Sequence, residues 1–326
     1  MYKTGIWQLV SASRLQNPNT RDVTSYQLLK QVGKNAEYQP EAEEIFESIV
    51  RFLRLPSGIF RSTYRQRFAG LDPMVNTILQ EVFPQGALEV HDWAASDCLV
   101  SAEWAESLWP AFPSARVTAS DTLLNLMEVS RGSQAYVLEP DGTPLQFIRP
   151  PFVVSLQKPI PSYYPVNRLL AARARRLLRQ AQQALRLHQQ KQPHTPWEVE
   201  EISLIHPLAR RLAAQGPRFE IQQHSVFKPL DSPCHAIRTM NIFNRGYFDE
   251  LTLKTGAASV FDSLIEGGIW VVGRTTEETR PPRNSVSVFQ KSGSAFKLLK
   301  RINGGSEIED LVLNQPAGSA ISEARA

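Results

Sequence analysis

The sequence predicts an α/β protein with a mostly parallel central sheet covered by helices on both faces. Short apolar stretches alternate with amphipathic helical patterns after residue 85, as in chains built from strand–helix–strand units. The last two apolar stretches are separated only by a turn containing Gly293, which predicts an antiparallel hairpin. An apolar share of 42% and a charged share of 21% are typical of a globular chain.

Residues 1–84 are predicted to form a helical N-terminal region. In EAEEIFESIVRFLRL, Ile45, Ile49 and Phe52 recur at helical spacing. A second helix is expected in LDPMVNTILQEVF, with Asp72 as its cap and Pro73 in its first turn.

Five stretches are expected to form the central strands of a domain over residues 85–315. These strands are ALEVHD, ARVTAS, RFEIQQHSVF, HAIRTMN and GIWVVG. The helices expected between them are LVSAEWAESLW, TLLNLMEVS, ARRLAAQ and FDELTLKTGAASVFDSLIEGG. SVSVFQK and AFKLLKRI form the closing hairpin, and the small polar residues 316–326 are expected to be a disordered tail.

An insertion is predicted at about residues 130–205, between the second and third strands. It contains a hairpin, QAYVLEPDGTPLQFI, then a proline-rich connection, a helix over about 166–190 and a possible strand in VEEISLIHP. The apolar stripe of the helix is Leu169, Leu170, Ala174, Leu177, Leu178, Ala181 and Leu185.

The same helix is rich in arginine, and no Asp or Glu occurs between Gly142 and Trp197. Three interpretations stay open: a cap over a substrate opening that faces an acidic substrate, a surface for nucleic acid or a partner protein, or a packed helix with a solvated basic face. Aromatic residues are few within the helix, so nucleic acid is not the expected partner.

Composition narrows the class of protein further. The two cysteines, Cys98 and Cys234, have no metal-type spacing and suit a reducing cytoplasm. The six histidines form no close pair of ligands, so no metal site is expected. No apolar run is long enough to span a membrane, and the N-terminus lacks the pattern of a secretion signal.

The stretch VHDWAASDC joins the first strand to the first helix of this domain. In nucleotide-type sites such a turn has an acid followed by glycines at alternate positions, because the backbone must approach the ligand and turn sharply. Here Asp92 is followed by Ala94, Ser96 and Cys98, which are small but lack the freedom of glycine at positive φ. The loop therefore either binds a cofactor or is an ordinary connection.

The second strand favours a cofactor. Asp121 ends ARVTAS at the spacing at which an acid accepts hydrogen bonds from both ribose hydroxyls of a bound nucleoside. An N-cap for a following helix is the alternative role.

With these motifs, the chain resembles class I S-adenosylmethionine-dependent methyltransferases, and among them the chemotaxis-receptor glutamate methyltransferases. PSGIFRSTYRQRF resembles their phenylalanine-arginine motif, WAASDC their glycine-poor loop, and HAIRTMNIFNRGYFDE their fourth-strand motif. The resemblance covers roughly residues 56–305. The family's loop continues with Gly-Glu-Glu where this chain has Cys98, Leu99 and Val100, and Glu103 is a possible replacement.

The resemblance implies a class I fold, bound S-adenosylmethionine and methyl transfer. It implies that Asp92, Ala94 and Ser96 lie along the methionine part and that Asp121 holds the ribose. Further residues that it implies are His224, Ser225 and Val226 beside the adenine, Asn241 under the methyl donor, and Arg61 and Tyr247 as groups that orient the substrate.

The methyl acceptor is expected to be a carboxylate or another oxygen or nitrogen nucleophile of a small molecule or protein. A carboxylate is already ionised near neutral pH and needs no general base, whereas an amine or hydroxyl does. The alternative is a methyltransferase-like protein that has lost catalysis and binds a partner or nucleic acid. Cys234, which follows a proline, is expected to be a buried thiol rather than a nucleophile.

Overall fold

The structure is a computed structural model that describes residues 26–27, 29–30, 32, 40–51, 63–150, 152–156, 165–192, 196–277 and 282–314. The chain forms two compact units, one from residues 1–63 and 123–208, the other from 64–122 and 209–326. Each contains one sheet, so we call them the antiparallel-sheet unit and the parallel-sheet unit.

The strands and helices of the parallel-sheet unit follow the predicted order. Its elements are α2 (Asp72–Val82), β1 (Glu89–Trp93), α3 (Leu99–Leu108), β2 (Arg116–Asp121), β8 (Phe219–Gln223), β9 (Cys234–Met240), α6 (Glu250–Asp262), β10 (Leu264–Thr276), β11 (Arg283–Ser292), β12 (Ala295–Ile302) and α7 (Glu309–Leu313). The helix α5 (Pro207–Ala214) lies across the boundary between the two units in sequence.

Seven strands form its sheet in the order β12-β11-β10-β9-β1-β2-β8. Neighbouring strands from β10 to β8 are parallel, and β11 and β12 add an antiparallel hairpin beside β10. The prediction of a five-stranded parallel core closed by a hairpin is therefore confirmed. Since β1 is central and flanked by β2 and β9, their carboxyl ends meet at one edge of the sheet.

One face of this sheet packs against α6 and α7 through aromatic residues. Trp270 contacts Phe243, Phe289 and Phe296, with ring centroids 5.3–5.7 Å apart. These side chains are nearly or fully buried, and such area removed from water is the main stabilising contribution in a core. The core thus fixes β9, β10 and the loop that follows β9.

The antiparallel-sheet unit is more extensive than the hairpin and strand predicted from the sequence. Its elements are α1 (Pro40–Arg51), β3 (Asn125–Arg131), β4 (Gln134–Leu138), β5 (Pro144–Arg149), β6 (Phe152–Ser155), α4 (Pro165–Gln189) and β7 (Glu198–Ser203). The sheet order is β6-β5-β4-β3-β7, all antiparallel. Helix α1 packs on one face and α4 on the other, so this sheet is buried on both sides.

The prediction of a helix in TLLNLMEVS is wrong, because this segment contains β3. Leu126 faces the cluster around α1, while Met127 and Val129 face the cluster around α4. A strand that is buried on both faces is apolar at successive positions, which imitates a helical pattern over a short window. Asp121 therefore caps no helix.

Two other sequence predictions are corrected by the structure. Asp72 is not the cap of α2: it is the first helical residue, follows Leu71 as the cap, and its carboxylate pairs with Arg238. Leu169 is not part of the buried stripe of α4, because its side chain is 72% exposed.

The two units divide the chain at different residues from the predicted boundaries near 84 and at about 130–205. Helix α2 belongs with the parallel sheet, to which Asp72 is joined by Arg238, whereas α1 packs on the antiparallel sheet. The predicted tail, 316–326, lies outside the described residues.

Candidate functional site

The loop between β1 and α3 has an unusual backbone. Ala94, Ser96 and Cys98 have φ values of 57°, 58° and 65°, so all three adopt the left-handed conformation that glycine favours. These are the alternate positions at which glycines were expected. The loop therefore has the backbone of a glycine-rich turn although it contains no glycine.

This conformation is unfavourable for residues that carry a Cβ atom. A left-handed residue costs about 1–2 kcal/mol relative to the right-handed region. Backbone and side-chain hydrogen bonds hold the loop: the Ala95 amide donates to the Ser120 carbonyl (2.9 Å), and the Cys98 amide to the Ala95 carbonyl (2.9 Å). The Leu99 amide donates to Asp97 Oδ1 (3.0 Å). Strained residues that their surroundings hold in place are concentrated at functional sites.

Asp121 joins the ends of three strands. Its Oδ2 accepts a hydrogen bond from the Ser96 amide at 2.8 Å, and its carbonyl accepts one from the His224 amide at 3.1 Å. Asp121 ends β2, Ser96 follows β1 and His224 follows β8, so the structure brings these three segments together.

Both carboxylate oxygens of Asp92 are hydrogen-bonded within the protein. Arg238 on β9 donates from Nε to Asp92 Oδ1 (2.9 Å) and from Nη2 to Oδ2 (2.6 Å). Oδ2 also accepts from the Ser101 hydroxyl at 2.5 Å. Asp92 is only 3% exposed. Asp92 thus links β1, β9 and α3, and its position along the methionine part stays a prediction.

Arg238 was missed by the sequence analysis although it lies in a strand that was predicted correctly. Its Nη1 donates to Asp72 Oδ1 at 2.6 Å, and its guanidinium lies 4.2 Å from the centre of the Trp104 ring. Burial raises the pKa of Asp72 to about 7, against the opposing effect of Arg238. A fully buried charge requires partners, so an arginine inside an apolar strand signals acids nearby.

Beside the loop lies a group of buried polar atoms without hydrogen-bond partners among the described residues. They are Trp93 Nε1, Ser120 Oγ, His224 Nε2 and His91 Nδ1. Trp93 and Ser120 face each other across β1 and β2, and the Trp93 ring lies 4.7 Å from the His224 ring. Unsatisfied buried polar atoms are rare and mark places where a ligand or water completes the structure.

The two histidines of this group are held neutral. Burial, with a smaller contribution from His224, lowers the pKa of His91 to about 4. Burial also lowers the pKa of His224. Both rings are therefore uncharged at neutral pH.

Ser225 and Val226, expected near the adenine, follow His224 and the end of β8. The Ser225 hydroxyl accepts a hydrogen bond from the Phe227 amide (3.4 Å), which closes a local turn. Val226 is 6% exposed and belongs to the aromatic core cluster. Ser225 thus lies at the same sheet edge as Asp121, whereas the Val226 side chain is packed in the aromatic core.

Asn241 and Tyr247 lie in the loop between β9 and α6. Asn241 is left-handed (φ 65°), and its side chain is bound to Thr275: Oδ1 accepts from the Thr275 amide (2.7 Å), and Nδ2 donates to the hydroxyl (3.3 Å). Its amide atoms are therefore already used within the protein. Tyr247 is 47% exposed and its ring contacts Phe248. Its exposure leaves it accessible to a substrate.

Arg61 and Glu103 are the remaining residues that were named from the sequence. Arg61 lies outside the described residues. Glu103, considered as a replacement for the missing acids of the loop, accepts from the Gln66 amide through both oxygens at 3.0 Å. Glu103 thus holds the turn before α2.

Neither thiol is placed for nucleophilic chemistry. Cys98 and Cys234 are both buried, and burial raises the pKa of Cys234 to about 12. Among the residues that the structure describes, no group of three or more His, Cys, Asp or Glu side chains could hold a metal. No described helix is long and apolar enough to cross a membrane.

No protein-family model and no curated protein matches the chain. Several solved structures are similar over much of its length. A sugar N-methyltransferase from Streptoalloteichus sp ATCC 53650 is 12% identical, with 80% of this chain and 81% of that chain covered and a TM-score of 0.31. An S-adenosylmethionine-dependent methyltransferase from Clostridium acetobutylicum ATCC 824 is 10% identical, with coverage of 77% and 79% and a TM-score of 0.33.

A third similar structure is magnesium protoporphyrin IX methyltransferase from Synechocystis PCC 6803 with bound SAH. It is 10% identical, with 64% of this chain and 56% of that chain covered and a TM-score of 0.30. These identities and TM-scores are too low to assign an activity, and the proposals below rest on the strand order and the site geometry.

Proposed function

We propose that the protein binds S-adenosylmethionine at the carboxyl edge of its parallel sheet and transfers the methyl group to an acceptor. The observation that carries this proposal is the left-handed backbone at Ala94, Ser96 and Cys98, directly opposite Asp121. Three left-handed residues reduce the stability of the fold, and they lie at the positions where nucleotide-binding loops have glycine. An ordinary connection between a strand and a helix does not require this strain.

The residues at this edge fit an adenosyl cofactor in size and in chemistry. The small side chains of the loop allow a ligand to approach its backbone, and α3 begins directly after it, where a helix N-terminus favours a carboxylate. The Ser120 hydroxyl and the Trp93 and His224 ring nitrogens are buried polar atoms that still lack partners among described residues. A polar ligand or its bound waters would satisfy them.

Asp121 is the proposed ribose-binding group. An acid at the end of the second strand is the type of group that accepts hydrogen bonds from ribose hydroxyls in nucleoside sites. We propose that Ala94 and Ser96 line the methionine part, with Ser225 near the adenine. Asp92, Val226 and Asn241 act indirectly, because their side chains are bound or packed within the protein.

The bound cofactor supplies an electrophilic methyl group, and the protein positions the acceptor in line with it. We propose Tyr247, which is 47% exposed, for this orienting role, and Arg61 for the same role on the resemblance alone. The acceptor class proposed is a carboxylate, or another oxygen or nitrogen nucleophile, of a small molecule or protein.

Calorimetric titration with S-adenosylmethionine and S-adenosylhomocysteine tests this proposal. We expect the intact protein to bind and Asp121→Ala to weaken binding by about tenfold or more, because a charged acceptor is lost. Asp141→Ala is the matched control, since Asp141 Oδ1 accepts a similar local bond from the Thr143 amide in the other unit. Equal loss in both variants would show that the effect is not local to the site.

One observation favours a second candidate, a methyltransferase-like protein without catalysis. The loop already donates one of its own amides to Asp121. If the protein binds neither cofactor at millimolar concentrations, the loop is a closed structural turn and this candidate replaces the first. Binding without methyl transfer to cell extract or to a carboxylate panel would also favour it.

A further inference from the structure

Helix α4 presents a basic face that the fold does not use. It is defined by four exposed arginines, which we call the arginine face: Arg175, Arg176, Arg179 and Arg186. The opposite side of the helix packs on the antiparallel sheet through residues such as Ala174, Ala181 and Leu185, which are at most 1% exposed. The arginine face is therefore directed away from the core of its unit.

Internal contacts already fix the position of α4. The Tyr136 hydroxyl donates to the Ala174 carbonyl (2.6 Å), and the Gln182 and Gln189 side chains donate to the Gly142 and Pro140 carbonyls (2.9 and 2.7 Å). None of these anchors involves the arginine face. Its charges are thus not required to hold the helix in place.

The arginine face has no counter-charge within the described part of the chain. No described residue forms an ion pair or hydrogen bond with these four side chains, whereas Arg116, Arg245 and Arg301 on the other unit all pair with acids. The sequence from Gly142 to Trp197 contains no acid at all. Concentrated positive charge that is left without partners attracts an anionic macromolecule.

The chemistry of the face favours phosphates over a protein or a membrane. Its neighbours are Gln180, Gln183 and Ala172, and Leu169 is the one strongly exposed large apolar side chain on the described part of α4. Protein interfaces contain an apolar or aromatic centre, and a helix lying on a membrane buries an apolar face in it. The apolar face of α4 is covered by the sheet, so its exposed side offers a partner mainly positive charge.

We propose that the arginine face binds the phosphate backbone of duplex nucleic acid without reading its sequence. From Arg175 to Arg186 the helix rises about 16 Å, and each strand of a duplex presents several phosphates over that length. A duplex is favoured over a single strand because the described part of α4 exposes no Phe, Tyr or Trp side chain to stack on bases. The sequence-based expectation against nucleic acid rested on the scarcity of aromatic residues, and contacts to the phosphates of a duplex do not require base stacking.

Fluorescence anisotropy with labelled mixed-sequence duplexes of about 20 base pairs tests the proposal. Duplex DNA and duplex RNA form separate arms, because both present the same phosphates. The full chain is titrated at about 50 mM salt and upwards, and a log–log slope of about −3 to −4 is expected for four contacts. Replacing all four arginines by glutamine should weaken binding at least about tenfold and flatten the slope.

The charge-matched control removes four exposed basic residues of the other unit: Arg116, Arg283, Lys297 and Lys300, each changed to glutamine. It should bind duplex as the unaltered chain does, and circular dichroism should show both variants folded. No binding by the unaltered chain, or equal loss in both variants, would overturn the proposal. Tighter binding of poly-glutamate or anionic vesicles than of either duplex, lost with the arginine face, would also overturn it.

Discussion

At Ala94 the backbone is left-handed, and this allows a direct test of strain in the loop. Ala94→Gly should stabilise the protein by up to about 1 kcal/mol, because relief of the left-handed strain exceeds the greater flexibility of glycine in the unfolded chain. Urea denaturation measures the change in the free energy of unfolding.

Ala102→Gly is the matched control for that substitution. Ala102 lies in the interior of α3 and is fully buried, so the same change should destabilise by about 1 kcal/mol or more. If both variants lose stability equally, the loop is not strained.

His91 predicts a pH dependence of stability. Its folded pKa of about 4 lies below the ordinary value of 6.5, so the unfolded chain binds a proton first as the pH falls. The contribution of neutral His91 to the free energy of unfolding is present in full above pH 6.5. It is lost as the pH falls towards 4, and the loss is at most about 3 kcal/mol. Denaturation curves of His91→Gln should be less sensitive over this range than those of the original chain. Parallel pH profiles for the two would contradict this account.

The two thiols should be unreactive in the folded protein. Both are buried, and the pKa of Cys234 is raised to about 12, so little thiolate is available at pH 8. Titration with Ellman's reagent should detect no rapidly reacting thiol in the native state and two in denaturant. A thiol that reacts at once in the native protein would argue that Cys234 or Cys98 is accessible.

At the level of elements, α6 packs so closely on the β9–α6 loop that one position admits no side chain. A Cβ atom at Gly256 would lie 2.1 Å from Phe243 Cε1, and Phe243 is 2% exposed. Gly256→Ala should therefore destabilise by about 1–3 kcal/mol, although alanine is the better helix former. Gly70→Ala, which meets nothing within 4 Å, should change stability by less than about 0.5 kcal/mol. Thermal denaturation compares the two, and a neutral Gly256→Ala would show that Phe243 can move.

The strands of the parallel sheet could be predicted because each is a short apolar run between turn residues. β3 could not, since its residues face two cores and lack the alternation of a half-buried strand. The pairing of Arg238 with Asp72 and Asp92 was also not visible, because the three residues lie far apart in the chain. An arginine at the centre of a buried strand does, however, predict that acidic residues lie close to it in the fold.

The loop between β1 and α3 was also only partly predictable from the sequence. The sequence indicated small residues after β1 and an acid after β2, and the structure brings Ser96 and Asp121 within 2.8 Å. The left-handed backbone could not be predicted from alanine, serine and cysteine, because their intrinsic preference is for negative φ. It is imposed by the hydrogen bonds that tie the loop to β2.

At the level of the whole molecule, the chain combines a parallel-sheet unit that carries the candidate site with an antiparallel-sheet unit that carries the arginine face. The two proposals rest on separate features and can fail separately. Loss of the four arginines should leave cofactor affinity unchanged, and Asp121→Ala should leave duplex binding unchanged. Titration of each variant with both ligands measures this independence.

The most direct measurement is a crystal structure of the protein grown with saturating S-adenosylhomocysteine. We expect the ligand over the backbone of residues 94–98, with its ribose hydroxyls within hydrogen-bond distance of Asp121. A ligand bound elsewhere, or a loop filled by protein side chains with Asp121 turned away from the ligand, would contradict it.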